Sequence, residues 1–316
     1  MGALDPIECP HSFAALTPLQ WRTQVTSIRE FTTAQAGHNK ANRSYFDTDP
    51  LTLTSRKQAR AKIDRAMVSG AFDWKAFGTK LLTTNPKLEK INVANKVLTT
   101  GLQLAPSFAS GYNTCSAASS CAQKCLNDTG LSQRHMVQTA ANGERIHYPH
   151  VARIARTLVW FEHREAFKAQ LIKELHAHVR AAKRKNATPA VRLNTLSDIP
   201  WEKTFPELWT LFPAVIFYDY TKNPFRVSTA AYRLTFSRNE INEELMREAV
   251  QGANLAVVFD TKKGKKLPAS WHGLPVIDGD THDNRFADPL GVVVGLRAKG
   301  PARKDTSGFV VQTGRM

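Results

Sequence analysis

From residue 190 onward the chain consists of short apolar runs set between polar stretches. They are "AVRLN" (190–194), "AVIFYDY" (214–220), "YRLTFS" (232–237), "NLAVVFD" (254–260) and "GVVVGLR" (291–297). Runs of this length, rich in β-branched and aromatic residues and without strict alternation, suit strands buried on both faces. "NEINEELMREAV" falls between two of them and reads as a covering helix, so the repetition predicts a parallel α/β sheet. Upstream, "KVLTTGLQLAP" (96–106) has strand character. The stretch after Pro149 keeps helical period through residue 185, with Phe167, Leu171, Leu175 and Val179 on one stripe. Lys183, Arg184 and Lys185 close that helix, where positive charge suits the dipole.

Residues 1–78 read as a polar helical extension. Thr17-Pro18-x-Gln20 has the form of a helix start and sets Trp21, Val25 and Ile28 on one face. A second helix is expected from Thr54 or Ser55 through "RKQARAKIDRAMVSG", with Gly70 as its stop. The expected division is a helical extension over 1–78 and an α/β unit over 79–316.

The first strand leads into the densest chemistry of the chain. "TCSAASSCAQKC" (114–125) holds three of the four cysteines, Cys115, Cys121 and Cys125, with small residues between them. If Cys121 and Cys125 sat one helical turn apart, their sulfurs would share a face, with Cys115 closing the triangle from the preceding loop. A disulfide is disfavoured, since three thiols is an odd number and the chain has no secretory layout at its start. Small buried hydrophobes are the plain alternative, although chance rarely clusters three of four cysteines so tightly. Structural zinc wants four ligands, and His135 or Cys9 would have to supply the fourth without finger-like spacing. A [4Fe–4S] cluster on three thiolates leaves one iron open, and cysteine is its usual ligand. Iron–sulfur therefore stands ahead of zinc, with both kept open.

Charge adds a partner class. Lys and Arg number 43 against 27 Asp and Glu, a net +16 spread along 316 residues, which favours phosphate-rich partners such as a nucleotide or nucleic acid. No apolar run approaches the roughly 20 residues of a membrane span, so a cytoplasmic protein without a membrane partner is expected. No phosphate-cradling P-loop, dinucleotide glycine fingerprint or Gly-x-Ser-x-Gly elbow is present, which leaves kinase, dehydrogenase and serine-hydrolase readings without support.

The stretch "KLLTTNPKLEKINVANKVLTTGLQLAPSFASGYNTCSAASSCAQKCLN" resembles the N-terminal motif of phage proteins of the gene product 88 family. "VRLNTLSDIPWE", "FYDYTKNP", "YRLTFSRNEIN", "LPVIDGDTHDNRF" and "GVVVGLRAKG" resemble its later blocks, over about residues 79–311. That family looks like the radical S-adenosylmethionine enzymes, whose cluster loop follows the first strand of an α/β barrel. The resemblance implies a partial or complete (β/α) TIM-like barrel and a [4Fe–4S] cluster. The spacing here, Cys-x5-Cys-x3-Cys, departs from the usual Cys-x3-Cys-x2-Cys. S-adenosylmethionine would be the ligand of the open iron, with Asp198 in the place of the acid that ends a Gly-Gly-Glu; the two glycines are absent, which counts against it.

In a parallel barrel the reactive groups gather where the strands end. This makes Asn194, Ser197, Asp198, Asp219, Tyr220 and Ser237 candidate cofactor-binding residues, with Arg238, Asn239 and Asp260 nearby. "VIDGDTHDNRF" (276–286) adds Asp278, Asp280, His282, Asp283 and Arg285, read as a site-lining loop, with a self-satisfied turn as the plain alternative. Arg297 and Lys299 are candidate phosphate contacts. The expected function is an iron–sulfur protein acting on a nucleotide or nucleic acid. The alternative is a non-catalytic nucleic-acid- or protein-binding factor whose cluster, or zinc, is structural or redox-sensing.

Overall fold

The computed structural model describes residues 18–84, 88, 96–125, 137–139, 143–249 and 253–315. Nine strands form one sheet: β1 (Leu82–Thr83), β2 (Val97–Leu102), β3 (Thr188–Arg192), β4 (Ile216–Thr221), β5 (Tyr232–Ser237), β6 (Leu255–Phe259), β7 (Ser270–Trp271), β8 (Leu274–Asp278) and β9 (Val293–Arg297). Their order is β7-β8-β9-β6-β5-β4-β3-β2-β1. Every pairing from β8 across to β2 is parallel, and only the two-residue edge strands β1 and β7 pair antiparallel. Such short edges offer little unpaired backbone to another chain.

From β2 to β6 the strands follow one another in chain order with no reversal. The sheet also curls. Arg192 on β3 bonds Asp283, in the loop after β8, at 2.7 Å, although four strands separate β3 from β8 in the ladder. The ring of Phe286 packs edge-on against Tyr218 of β4, 5.0 Å between centroids. Residues 283–286 thus cross the hollow of the curved sheet. No strand pairing joins β1 to β7 among the described residues, so the ladder itself stays open there.

The longer helices among the described residues are α1 (Pro18–Thr48), α2 (Pro50–Ala66), α3 (Tyr148–Glu162), α4 (Arg164–Arg184) and α5 (Glu243–Ala249). Phe167, Leu171 and Leu175 are buried as the stripe predicted, with Val179 at its margin. The expected single helix after Pro149 is broken at His163, whose φ of −131° and ψ of 51° leave the helical region. The second N-terminal helix starts earlier than expected, because Asp49 caps Thr52 N at 2.7 Å and Pro50 takes the first turn. It also stops earlier, at Ala66. Gly70 (φ 80°) instead turns a hairpin between Met67–Val68 and Ala71–Phe72, where its positive φ is required. Ala59, Ile63 and Ala66 of α2 share one core with Ile154, Leu158 and Val191, so the extension packs into the body of the molecule. Of the face expected on α1, Ile28 is exposed, while the side chains of Trp21 and Val25 lie outside the described residues.

Candidate functional site

The C-terminal ends of the seven parallel strands converge on one cavity of about 480 Å³. β2 delivers Gln103, β3 leads to Asn194, β4 ends in Tyr220 and Thr221, and β5 in Ser237. β6 gives Val258, β9 gives Leu296, and the loop after β8 brings Asp283. Strand carboxyl ends are where α/β sheets bind ligands, because the connecting loops diverge there. All three cysteines, Cys115, Cys121 and Cys125, are half-buried, outside any disulfide and part of this wall.

The cysteine loop is held by its backbone from several sides. Thr114 Oγ1 donates to Ala105 O at 2.6 Å, and Thr114 N to Ser107 O at 3.1 Å, closing the turn that follows β2. Gln35 and Asn42 of α1 donate to Ala118 O and Ser119 O at 2.8 and 3.0 Å. Arg56 of α2 donates to the carbonyls of Phe108 and Ala109. After β3, Asp198 N donates to Thr114 O at 2.7 Å, and beyond β5 Glu240 accepts from Ser119 Oγ and Ser120 N. Lys124 pairs with Asp305 near the C-terminus. Buried backbone groups left unpaired are costly, so these contacts define one loop conformation.

The thiols themselves are less engaged. Cys115 Sγ receives Ser107 N at 3.4 Å and reaches Leu196 O at 3.6 Å. Burial pushes the Cys115 thiol up to about 12, and it raises Cys121 as well, against the pull of the nearby Lys222 ammonium. The expected helical turn from Cys121 to Cys125 is only a short 3₁₀ turn over Ser120–Ala122. Cys9 and His135, the two side chains considered as a fourth ligand, lie outside the described residues. Among the described residues no three His, Cys, Asp or Glu side chains converge enough to hold a single metal ion. Mononuclear zinc asks for that convergence. A polynuclear cluster, whose thiolates bind different irons, does not, and three thiols around one cavity match its donor chemistry.

The strand-end residues divide into two groups. Asn194, Ser197, Asp198, Tyr220 and Ser237 do line the cavity. Of these, Asn194 is spent on its own loop: Oδ1 accepts from Ser197 Oγ, Ile199 N and Trp201 Nε1 at 2.9 to 3.1 Å. Asp198 is likewise taken, by Arg226 at 2.6 Å, Thr221 Oγ1 at 3.1 Å and Lys222 N at 2.8 Å. Its contacts give no support to the amine-binding role that the resemblance implies. Asp219 sits beneath the wall, fully buried, and accepts from Leu193 N, Asn194 N and Tyr232 OH. Burial raises its carboxyl to about 6 despite the Arg192 guanidinium.

The acid-rich stretch after β8 turns out to be largely self-neutralised. Asp278 pairs with Arg297 at 2.9 Å, and Asp280 with Lys299 at 2.6 Å. Arg285 pairs with Asp288 at 3.2 Å and donates to His282. Only Asp283 reaches the cavity from this stretch, with Arg297 and Lys299 beside it on the wall. Composition and spacing did not single out Arg192, Lys222, Ser107, Thr195 or Phe309, which also line it. Lys222 directly follows Thr221, the last residue of β4, and that position at a strand end was its only signal.

A curved parallel sheet with a thiol-lined cavity at its carboxyl rim is the class these features define. The chain belongs to the gene product 88 family, whose model matches residues 75–313, more than half of its length. No curated protein and no solved structure matches it. Among the described residues no helix is long and apolar enough to cross a membrane.

Proposed function

We propose that this is a phage-encoded iron–sulfur protein with a radical-SAM-like barrel, working in the host cytoplasm on a nucleotide or nucleic acid. Cys115, Cys121 and Cys125 would hold a [4Fe–4S] cluster. The observation that carries the reading is the presence of three half-buried cysteines, none in a disulfide, on the wall of one cavity of about 480 Å³ at the strand ends. Bound there, such a cluster supplies an electron-transfer centre with one iron not taken by a cysteine. The chain's own part is to fix the three thiols through the backbone contacts of residues 105–120. It also lines the adjoining space with Leu196, Val258 and Phe309, which keep water from it. Ser107 N, donating to Cys115 Sγ, is the kind of hydrogen bond that tunes a thiolate ligand.

Anaerobic purification followed by iron, sulfide and zinc analysis tests this. The expected result is a brown protein with about four iron and four sulfide per chain, lost in the Cys121→Ser variant. A colourless protein carrying zinc, or no metal after anaerobic reconstitution, overturns the reading.

A further inference from the structure

The wall of the cavity carries six basic side chains: Lys124, Arg153, Arg192, Lys222, Arg297 and Lys299. Four of them are neutralised by carboxylates, namely Lys124 by Asp305, Arg192 by Asp283, Arg297 by Asp278 and Asp280, and Lys299 by Asp280. Arg153 is engaged by Gln103 Oε1. Lys222 differs. Among the described residues the side-chain acceptor for its Nζ is the Ser237 hydroxyl, at 2.6 Å, and the ammonium stands 5.3 Å from the centre of the Phe309 ring. A half-buried ammonium that has a hydroxyl, an aromatic face and the Cys121 thiol about it, and no carboxylate paired with it among the described residues, is a charge awaiting an anion.

Two further wall residues point the same way. Ser107 Oγ and Thr195 Oγ1 are buried and have no hydrogen-bond partner among the described residues. Buried polar atoms are rarely left so unless something is meant to meet them. A Cβ added at Gly101 would lie 2.7 Å from Thr195 Oγ1, so the glycine on β2 is what leaves room for that hydroxyl. Between these polar points the wall is apolar, formed by Leu196, Val258, Leu296 and Phe309. One cation, two spare hydroxyls and an apolar wall in about 480 Å³ match a small molecule with an anionic group and a flat, polar-edged body. A net charge of +16 draws multiply charged anions toward the protein, phosphates among them.

We propose that the cavity takes one unstacked nucleotide, with its phosphate on Lys222 Nζ and Ser237 Oγ and its base against the apolar wall within reach of Ser107 and Thr195. This deepens the nucleotide half of the function proposed above and does not require the cluster. A duplex is far too wide for the cavity, so the nucleotide is either free or part of a single strand.

Binding of fluorescent single-stranded oligothymidylate and oligouridylate, competed by thymidine and uridine monophosphates and by a duplex, tests the assignment. Single strands or the free monophosphates are expected to bind, and the duplex to compete poorly; oligomers alone, or monophosphates alone, identify the source. Lys222→Gln should weaken binding about tenfold, as for one charge-assisted hydrogen bond. It should also flatten the dependence of log affinity on log salt by about one. Lys222→Arg should restore most of both. Binding and salt slope unchanged in a folded Lys222→Gln protein overturn the assignment, as does equal binding of duplex and single strand. Iron and sulfide measured on the same samples separate the two proposals, since loss of the metal with Lys222-dependent binding intact sinks only the cluster.

Discussion

Two loops at the strand ends carry most of the chain's reactive side chains, and they spend them in opposite ways. The loop after β8 crowds Asp278, Asp280, His282, Asp283 and Arg285 into eight positions, and its charges are consumed by Arg297, Lys299, Asp288 and Arg192. The loop after β2 does the reverse. Its backbone is bonded by α1, α2 and the loops after β3 and β5, while its three thiols line the cavity outside any disulfide. The first loop is a structural brace that happens to be polar. The second is a frame, fixed through its backbone, that turns its thiols toward the cavity. Chemical density along a chain therefore says less about a site than which valences remain after the fold has taken its share.

Removing a carboxylate from the brace should do the most damage. Asp283→Ala leaves the buried Arg192 with Asp219, 3.7 Å away, as its one remaining carboxylate among the described residues, and should cost about 3 kcal/mol of stability by denaturant titration. A loss under about 1 kcal/mol would show that the loop after β8 is not structural. Removing a support from the frame should cost less but reach the site. Asn42→Ala takes the donor from Ser119 O and should cost about 1 to 2 kcal/mol. It should also lower metal retention during anaerobic gel filtration, an effect that Asp283→Ala at matched stability should not show.

The mildest change is at the exposed end of the brace. Arg297 holds the Asp278 carboxyl below the usual range, and at Asp280 burial, the largest single influence, is outweighed by the combined contacts of Lys299 and Arg297, so that carboxyl is lowered too. A carboxylate lowered in the folded state stabilises fully above its unfolded pKa of about 4, and that gain fades as pH falls through the folded value. Wild type should therefore exceed Asp280→Asn by less than about 1 kcal/mol at pH 7, and the gap should close below about pH 4. A gap constant down to pH 3 would remove the pairing from the account.

Much of the frame was legible in the chain. Five apolar runs and "KVLTTGLQLAP" became six of the seven parallel strands, because strands buried on both faces leave an unbroken apolar signature. β8 was missed: it reads Leu-Pro-Val-Ile-Asp, and most of its residues stay partly exposed beside the short edge strand β7. The cysteines stood out through spacing alone. Lys222 and Arg192 did not, because what distinguishes them is the presence or absence of a carboxylate from a distant segment, a tertiary property. For the same reason no local pattern told Asn194, bound up in its own loop, and Asp198, held by Arg226 and the end of β4, from Ser237, which still meets the ammonium of Lys222.

The long first helix has a practical side. Residues 75–313 are what kinship recognises, yet Gln35 and Asn42, which seat the cysteine segment, lie well upstream. Cutting the gene at the recognisable border would deliver a sheet with its thiols attached and the wall behind them missing. The smallest fragment worth expressing has to begin ahead of the kinship border, at or before residue 18, where that helix starts.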